Sequence, residues 1–301
     1  MKENFIEADE NDNVLIIVEE SIMNPFITEI CNSLRQITNT VLLVYPDKGA
    51  NLPNYPQSVK EAMEQATIIL DCCETTDMYS ELKQGLLNGR KIVYMLKPYG
   101  KFLKYYETID ESITQNLKNF LENSKEIEIS IGNNTIKAVI CNRPVIVDGF
   151  DVKTGSDTIL PPASVSFAPI ENNVNGKLEF NGFVENVSGS VRCKELSGKI
   201  LIKNGNVECD GEIKEFFNRF DDQCLTIGHI TFGTNPLITE PYEGFDTERA
   251  VGGICLGFGN NQGVFSGENT SNGHIDISAR FDRIILKNEK GDKIILGGKY
   301  G

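Results

Sequence analysis

The chain has 301 residues, 40% of them apolar, with 29 basic against 43 acidic side chains and a net charge of −14. That length suits two domains with a core in each, and the acidic balance excludes a surface built to neutralise nucleic-acid phosphates or anionic lipid. No apolar run reaches the roughly 18 residues of a membrane span, and the opening MKENFIEADENDN has neither a basic nor an apolar leader region, so a cytoplasmic protein is expected.

In chain order, NVLIIVEE, TVLLVYP, TIILDCCE and KIVYML are near-continuous apolar runs, the mark of parallel strands covered on both faces. Amphipathic stretches separate them. Phe26, Ile27, Ile30, Leu34 and Ile37 share one helical face, and Ile109, Ile113, Leu117, Phe120 and Leu121 share another. This βαβ pattern predicts a Rossmann-like parallel-sheet domain over residues 1–125. The first strand is followed by EESIMNP rather than a glycine-rich turn, which argues against a nucleotide cofactor. Cys72 and Cys73 fall in a strand, where alternation buries at least one. With no CxxC pair, the eight cysteines are expected as reduced thiols rather than disulfides or zinc ligands.

Beyond about residue 125 the texture changes to period-2 alternation with frequent Gly, Asn and Pro. KEIEISIGNNTIKAVICNRPVIVDG and SGKILIKNGNVECDGEIK read as hairpins, so residues 126–301 are predicted to form a mainly antiparallel β domain. One helix interrupts it, capped by Asp210, with Ile213, Phe216, Phe217 and Phe220 as its apolar stripe.

The only two histidines, His229 and His274, both lie in glycine-bounded stretches of this second domain. Asp276 follows His274 by two residues, and on a strand those side chains project from one face. An H-x-D pair of this kind supplies two legs of a 2-His-1-carboxylate facial site, and His229 is the candidate third leg. H-x-D is also short and common by accident, and an aspartate two residues from a histidine can simply fix a tautomer or a turn.

The chain resembles the aminopeptidase T family of metallopeptidases and their ring-opening relative, 2,5-dihydroxypyridine 5,6-dioxygenase. The resemblance runs from NVLIIV to the C-terminus and is carried by LPPASVSFAPIENNVNGKLEF, IGHITFGTNP, DTERAVGGICLGFGNN, SNGHIDI and the closing hairpin IILKNEKGDKIILGGKY. It implies that Ser164, His229 and Cys255 stand where the peptidases have a glutamate, a second glutamate and a histidine ligand, and that no tyrosine replaces the peptidase's tyrosine ligand. Only His274 and Asp276 persist. A two-metal peptidase needs carboxylates to hold its ions about 3.5 to 4 Å apart, so that activity is not expected here. The dioxygenase relative is similar in the opposite sense, with His229, His274 and Asp276 matching its mononuclear Fe(II) site.

The expectation is therefore an Fe(II) oxygenase that takes a small hydroxylated aromatic or heteroaromatic substrate and O2, with Zn2+ or Mn2+ as alternative metals. A one-zinc hydrolase and a non-catalytic binding protein are the other readings. Ser164 and Cys255 are expected to line the substrate side, with Cys255 also a candidate fourth ligand. Glu171 is the candidate base, against a structural role. Asn235 and Pro236 are expected to turn behind His229, while Arg143, Arg249 and Arg280 are either anion anchors or ordinary ion-pair partners. The glycines from Gly252 to Gly267 suggest backbone packed against the site or a mobile flap. The resemblance also implies a homo-oligomer. Neither nucleic acid nor membrane is expected as a partner.

Overall fold

A computed structural model describes residues 6, 8–46, 55–73, 85–95, 110–140, 142–149, 152–186, 194–239, 244–271, 273–288 and 291–297. They form two compact units. The first comprises residues 1–108, 148–162 and 187–190, the second 109–147, 163–186 and 191–301. The chain therefore passes between units repeatedly, and a single boundary near residue 125 does not divide it.

The first unit is a parallel sheet in the order β2-β1-β3-β4-β8, with β1 at Asn13–Glu19, β2 at Asn39–Tyr45, β3 at Ile68–Asp71, β4 at Lys91–Met95 and β8 at Ser156–Leu160. The four apolar runs are its first four strands. The fifth, β8, comes from the half expected to be antiparallel. It pairs parallel with β4, Met95 opposite Leu160, and its half-buried alternation lacks the continuous apolar signature of its neighbours. The sheet buries apolar side chains on both faces. Ile16, Val18, Ile68 and Leu70 pack with helix Pro25–Leu34 on one side, and Leu15, Ile17, Ile69 and Ile92 with Val59 and Met63 of helix Gln57–Gln65 on the other. Asn24 caps the first of these helices, its Oδ1 accepting from the amides of Phe26 and Ile27. Ile37 lies beyond the end of that helix and is exposed, so it does not extend the expected stripe. Cys72 and Cys73 just follow β3, and both are buried, one toward each apolar layer.

In the second unit a large sheet runs β17-β16-β5-β6-β10-β15-β14-β13-β9-β7, with β11 and β12 branching from β10. Its outer hairpins are β5 (Glu126–Ile131) with β6 (Asn134–Val139), β11 (Lys194–Lys203) with β12 (Asn206–Asp210), and β16 (Arg283–Asn288) with β17 (Gly291–Leu296). From the long β10 (Val174–Asn186) the sheet continues through β15 (His274–Arg280), β14 (Gly253–Gly259), β13 (Ile227–Gly233) and β9 (Ser164–Phe167) to the short β7 (Val145–Asp148) at its edge. Helix Ser112–Glu122, expected with the first domain, buries Leu117 and Leu121 in this unit's core; Ile109 of the expected stripe lies outside the described residues. The helix expected after β12 is shorter than expected, Glu212–Phe217, and Asp210 is not its cap. Gly211 takes the N-cap at φ 71°, while Asp210 ends β12 and its Oδ1 accepts from the Lys199 amide.

Candidate metal centre

The strands β14 and β15, and β13 from His229 onward, alternate their side chains between two faces. Ile230, Phe232, Ile254, Leu256, Phe258, Ile275 and Ile277 face the apolar core. Period 2 sends His229, Thr231, Cys255, His274, Asp276 and Ser278 to the opposite face, and these too are buried. A polar sheet face withdrawn from water must find internal partners: Asp276 meets both imidazoles and the Cys255 thiol, and Thr231 bonds Ser166.

Register brings the ligand candidates together. His229 lies opposite Gly257 on β14, and Gly257 lies opposite Asp276 on β15. A Cβ built on Gly257 would fall on the His229 ring and 2.8 Å from Asp276 Oδ1, so glycine opens the gap into which both side chains lean. A bulge between Ile227 and His229 shifts the alternation by one residue, so that Ile227 joins the core while His229 stays on the face of Thr231. His274, opposite Gly259 in the next row, completes the cluster. Asp276 Oδ1 stands 3.6 Å from His229 Nε2 and 3.4 Å from His274 Nε2, and one donor atom from each residue lies within 4.8 Å of the others. The imidazole rings are parallel, with centroids 5.1 Å apart.

The donor chemistry fits a divalent cation. His274 Nδ1 lies 3.3 Å from the Asn260 carbonyl, which can only accept, so Nδ1 carries the proton and Nε2 faces Asp276. Two acceptors that face each other at this distance need a cation between them, either a proton or a metal. Burial pushes the His274 imidazole toward neutrality, but the charge and hydrogen bond of Asp276 outweigh it and raise its pKa above 6.5. Burial likewise works against the Asp276 charge, and the two imidazoles overcome it, holding the carboxyl below its usual 3.8.

Around this cluster the other candidates take different places. Cys255 Sγ donates to Asp276 Oδ1 at 3.3 Å and lies beyond the ligand group. Burial first, then the Asp276 and Glu248 carboxylates, push its thiol well above 9.0, so it is held as S–H. Ser164 Oγ accepts from Arg249 Nη1, and Arg249 Nε lies 3.3 Å from Glu248 Oε1. Arg249 is thus a buried, neutralised partner rather than an anion anchor. Helix Gly244–Arg249 brings both residues in because Gly233 and Gly253 leave room for its backbone; a Cβ at Gly233 would strike the Glu248 and Ala250 carbonyls.

Asn235 bonds the end of the 244–249 helix and the turn that follows its own strand. Its amide and carbonyl bond Arg249 O and Val251 N, and its Oδ1 accepts from Leu237 N, which fixes the end of that helix. Arg280 lies at the protein surface, with its Nη1 3.4 Å from Val251 O. Glu171 is engaged as well. Its carboxylate takes Arg143 Nη2 at 2.8 Å, Asn261 Nδ2 at 2.8 Å and the Glu268 amide at 2.9 Å. Burial opposes its charge, but these donors and Arg143 hold its pKa below 4.5, which makes it a poor base.

Sequence reasoning missed Glu248, Asn260 and Phe265, and it had Gly257 only as one of the glycines from Gly252 to Gly267 expected to pack against the site. Phe265 lies flat on His229, with centroids 5.1 Å apart and planes 4° from parallel. Gly257 had one available signal, its position two residues beyond Cys255 on the same strand face. No disulfide joins the described cysteines, and no helix among the described residues is long and apolar enough to cross a membrane.

Neither a family model nor a curated protein matches the chain. Among solved structures, wild-type AmpT from Thermus thermophilus is similar with a TM-score of 0.62, over 97% of this chain and 94% of that one, at 12% identity. That likeness shows the fold, an aminopeptidase-like architecture with a parallel-sheet domain and antiparallel sheets.

Proposed function

We propose that the protein is a metal-dependent hydrolase working through a single ion held by His229, His274 and Asp276. The observation that carries this reading is the convergence of three buried donors over Gly257 on an aminopeptidase-like fold. A bound divalent cation such as Zn2+ supplies Lewis acidity that polarises a carbonyl and activates water. The chain's own residues prepare that chemistry. The Asn260 carbonyl selects the His274 tautomer, Asp276 presents Oδ1 between both imidazoles, and Phe265 shields the outer face of His229. The substrate is a small molecule.

One observation favours a second reading. Two imidazoles and one carboxylate, with no second carboxylate in the group, also match the facial donor set of Fe(II) enzymes that use O2 on hydroxylated aromatic substrates. Metal analysis of anaerobically purified protein separates the two when joined to leucine anilide turnover with zinc, cobalt or manganese and O2 uptake with Fe(II) and aromatic diols. Anilide turnover lost in Asp276→Ala supports hydrolysis. O2 uptake lost in the same variant supports the oxygenase. Protein that binds no metal overturns both readings.

A further inference from the structure

The segment 260–271 folds over the polar sheet face and touches both histidines. Its first residue, Asn260, offers the carbonyl that faces His274 Nδ1, and Phe265 stacks on His229. Internal bonds shape it. Asn261 is buried, its Oδ1 accepts from the Asn269 amide, and its carbonyl accepts from the Gly267 amide. Gly267 must be glycine, since a Cβ there would overlap the Asn261 side chain. Asn269 Nδ2 then ties the segment to the carbonyls of Gly259 and Gln223.

One carboxylate outside the segment binds it at separate points. Glu171, in the turn after β9, takes Asn261 Nδ2 and the Glu268 amide on Oε1 and Arg143 on Oε2. Arg143 in turn donates through Nη1 to the Ser266 carbonyl. Charge-assisted hydrogen bonds to a carboxylate and a guanidinium are the strong members of their class, and here they converge on a strap that has only one described apolar anchor, Phe265.

We infer that Glu171, with Arg143, is a positioning residue for the metal centre: it clamps the strap 260–271, and the strap orients His274 through Asn260 and covers His229 through Phe265. This rests on the metal reading for its consequence, ion affinity, but not for the clamp itself. Outer partners of metal-ligating histidines typically command about 10- to 100-fold in affinity.

The test uses the full chain with Co(II) as probe. Glu171→Ala should weaken Co(II) binding by about tenfold or more, shift the visible spectrum of the cobalt protein, and speed amide exchange across 260–271. Glu171→Gln keeps a carbonyl acceptor and should fall between, a partial rescue that lost bulk alone does not explain. Arg143→Met, should the alanine variant not fold, should move all three readouts in the same direction by less. An alanine variant, or Arg143→Met in its place, with wild-type affinity, spectrum and exchange overturns the inference. If wild-type protein binds no Co(II), the metal reading fails and the clamp is judged on exchange and on the proton signal of His274 Nδ1–H. Loss of that signal in the variant supports the clamp, and its persistence with unchanged exchange overturns it.

Discussion

β3 of the parallel sheet and β15 of the antiparallel sheet are both covered on two faces, yet they spend that burial differently. Ile68, Ile69 and Leu70 send apolar side chains into both layers, whereas β15 places Ile275 and Ile277 on one side and His274, Asp276 and Ser278 on the other. The first arrangement stabilises without further conditions, since each buried aliphatic side chain contributes roughly 1.5 to 3 kcal/mol. The second gains nothing until every polar group has a partner. A sheet face that is buried but not apolar therefore marks where a fold has given up stability for chemistry.

The sharpest way to break that comparison is a matched pair of alanines. Gly257→Ala places a Cβ on the His229 ring and against Asp276, so metal retention should be lost, with at most a modest fall in melting temperature of the metal-free protein. Leu70→Ala should do the opposite, lowering stability by about 2 to 5 kcal/mol while leaving metal affinity unchanged. Metal titration and thermal denaturation of both variants check this. A Gly257→Ala protein that still binds metal like wild type would mean that His229 is not a ligand.

Next in size is Arg249→Met. Removing the guanidinium takes the cation away from the buried Glu248 carboxylate, and breaking one side of such a pair costs roughly 3 to 5 kcal/mol. Denaturant unfolding should register the loss. The double variant Arg249→Met with Glu248→Leu should recover most of it, because the buried charge, not the lost packing, carries the cost.

The pH dependence sharpens the contrast without mutation. Asp276 is held below 3.8, so its contribution is complete above that value and fades as pH falls through the lower, folded value. His274 is raised above 6.5, so its proton stabilises the metal-free protein below 6.5 and that contribution fades as pH rises through the folded value. Metal must displace this proton. Affinity should therefore climb by up to about tenfold per pH unit until His274 is neutral, while the metal-free protein loses stability over the same range. Calorimetric titrations in buffers of different ionisation enthalpy would count the released proton.

Much of this was legible in the chain. The four apolar runs became β1 to β4 because a strand covered on both faces by apolar layers has a composition that little else shares. His274 and Asp276 were readable because period 2 puts them on one face, while His229 entered as the chain's only other histidine and through the family resemblance. What escaped depends on register or on loops. Gly257 matters through what it lacks, and only the pairing of His229, Gly257 and Asp276 in one row reveals it. Asn260 and Phe265 act through a segment without periodicity, and Glu248 rides on a six-residue helix too short to announce a face. β8 was misassigned because its partner β4 lies some sixty residues earlier, and parallel pairing over that separation leaves no local trace.

The smallest expected effect concerns Cys255, the one reactive side chain whose two roles the substitution to serine separates. As a hydrogen-bond donor to Asp276, the thiol has a close replacement in a hydroxyl, which is shorter but donates more strongly. Cys255→Ser should then hold metal within a few-fold of wild type, while Cys255→Ala, which leaves Asp276 Oδ1 short of a donor, should lose about tenfold. As a metal ligand, the same residue would give the cobalt protein an intense near-ultraviolet sulfur-to-metal absorption, and serine would remove it together with much of the affinity for soft cations. The burial of Cys255 and the Asp276 and Glu248 carboxylates beside it hold the proton on sulfur, which favours the donor role. A wild-type cobalt spectrum without the sulfur band, unchanged by Cys255→Ser, is the expected result; a band that vanishes in the serine variant would move Cys255 into the coordination sphere and close one of the positions that both proposed reactions need open.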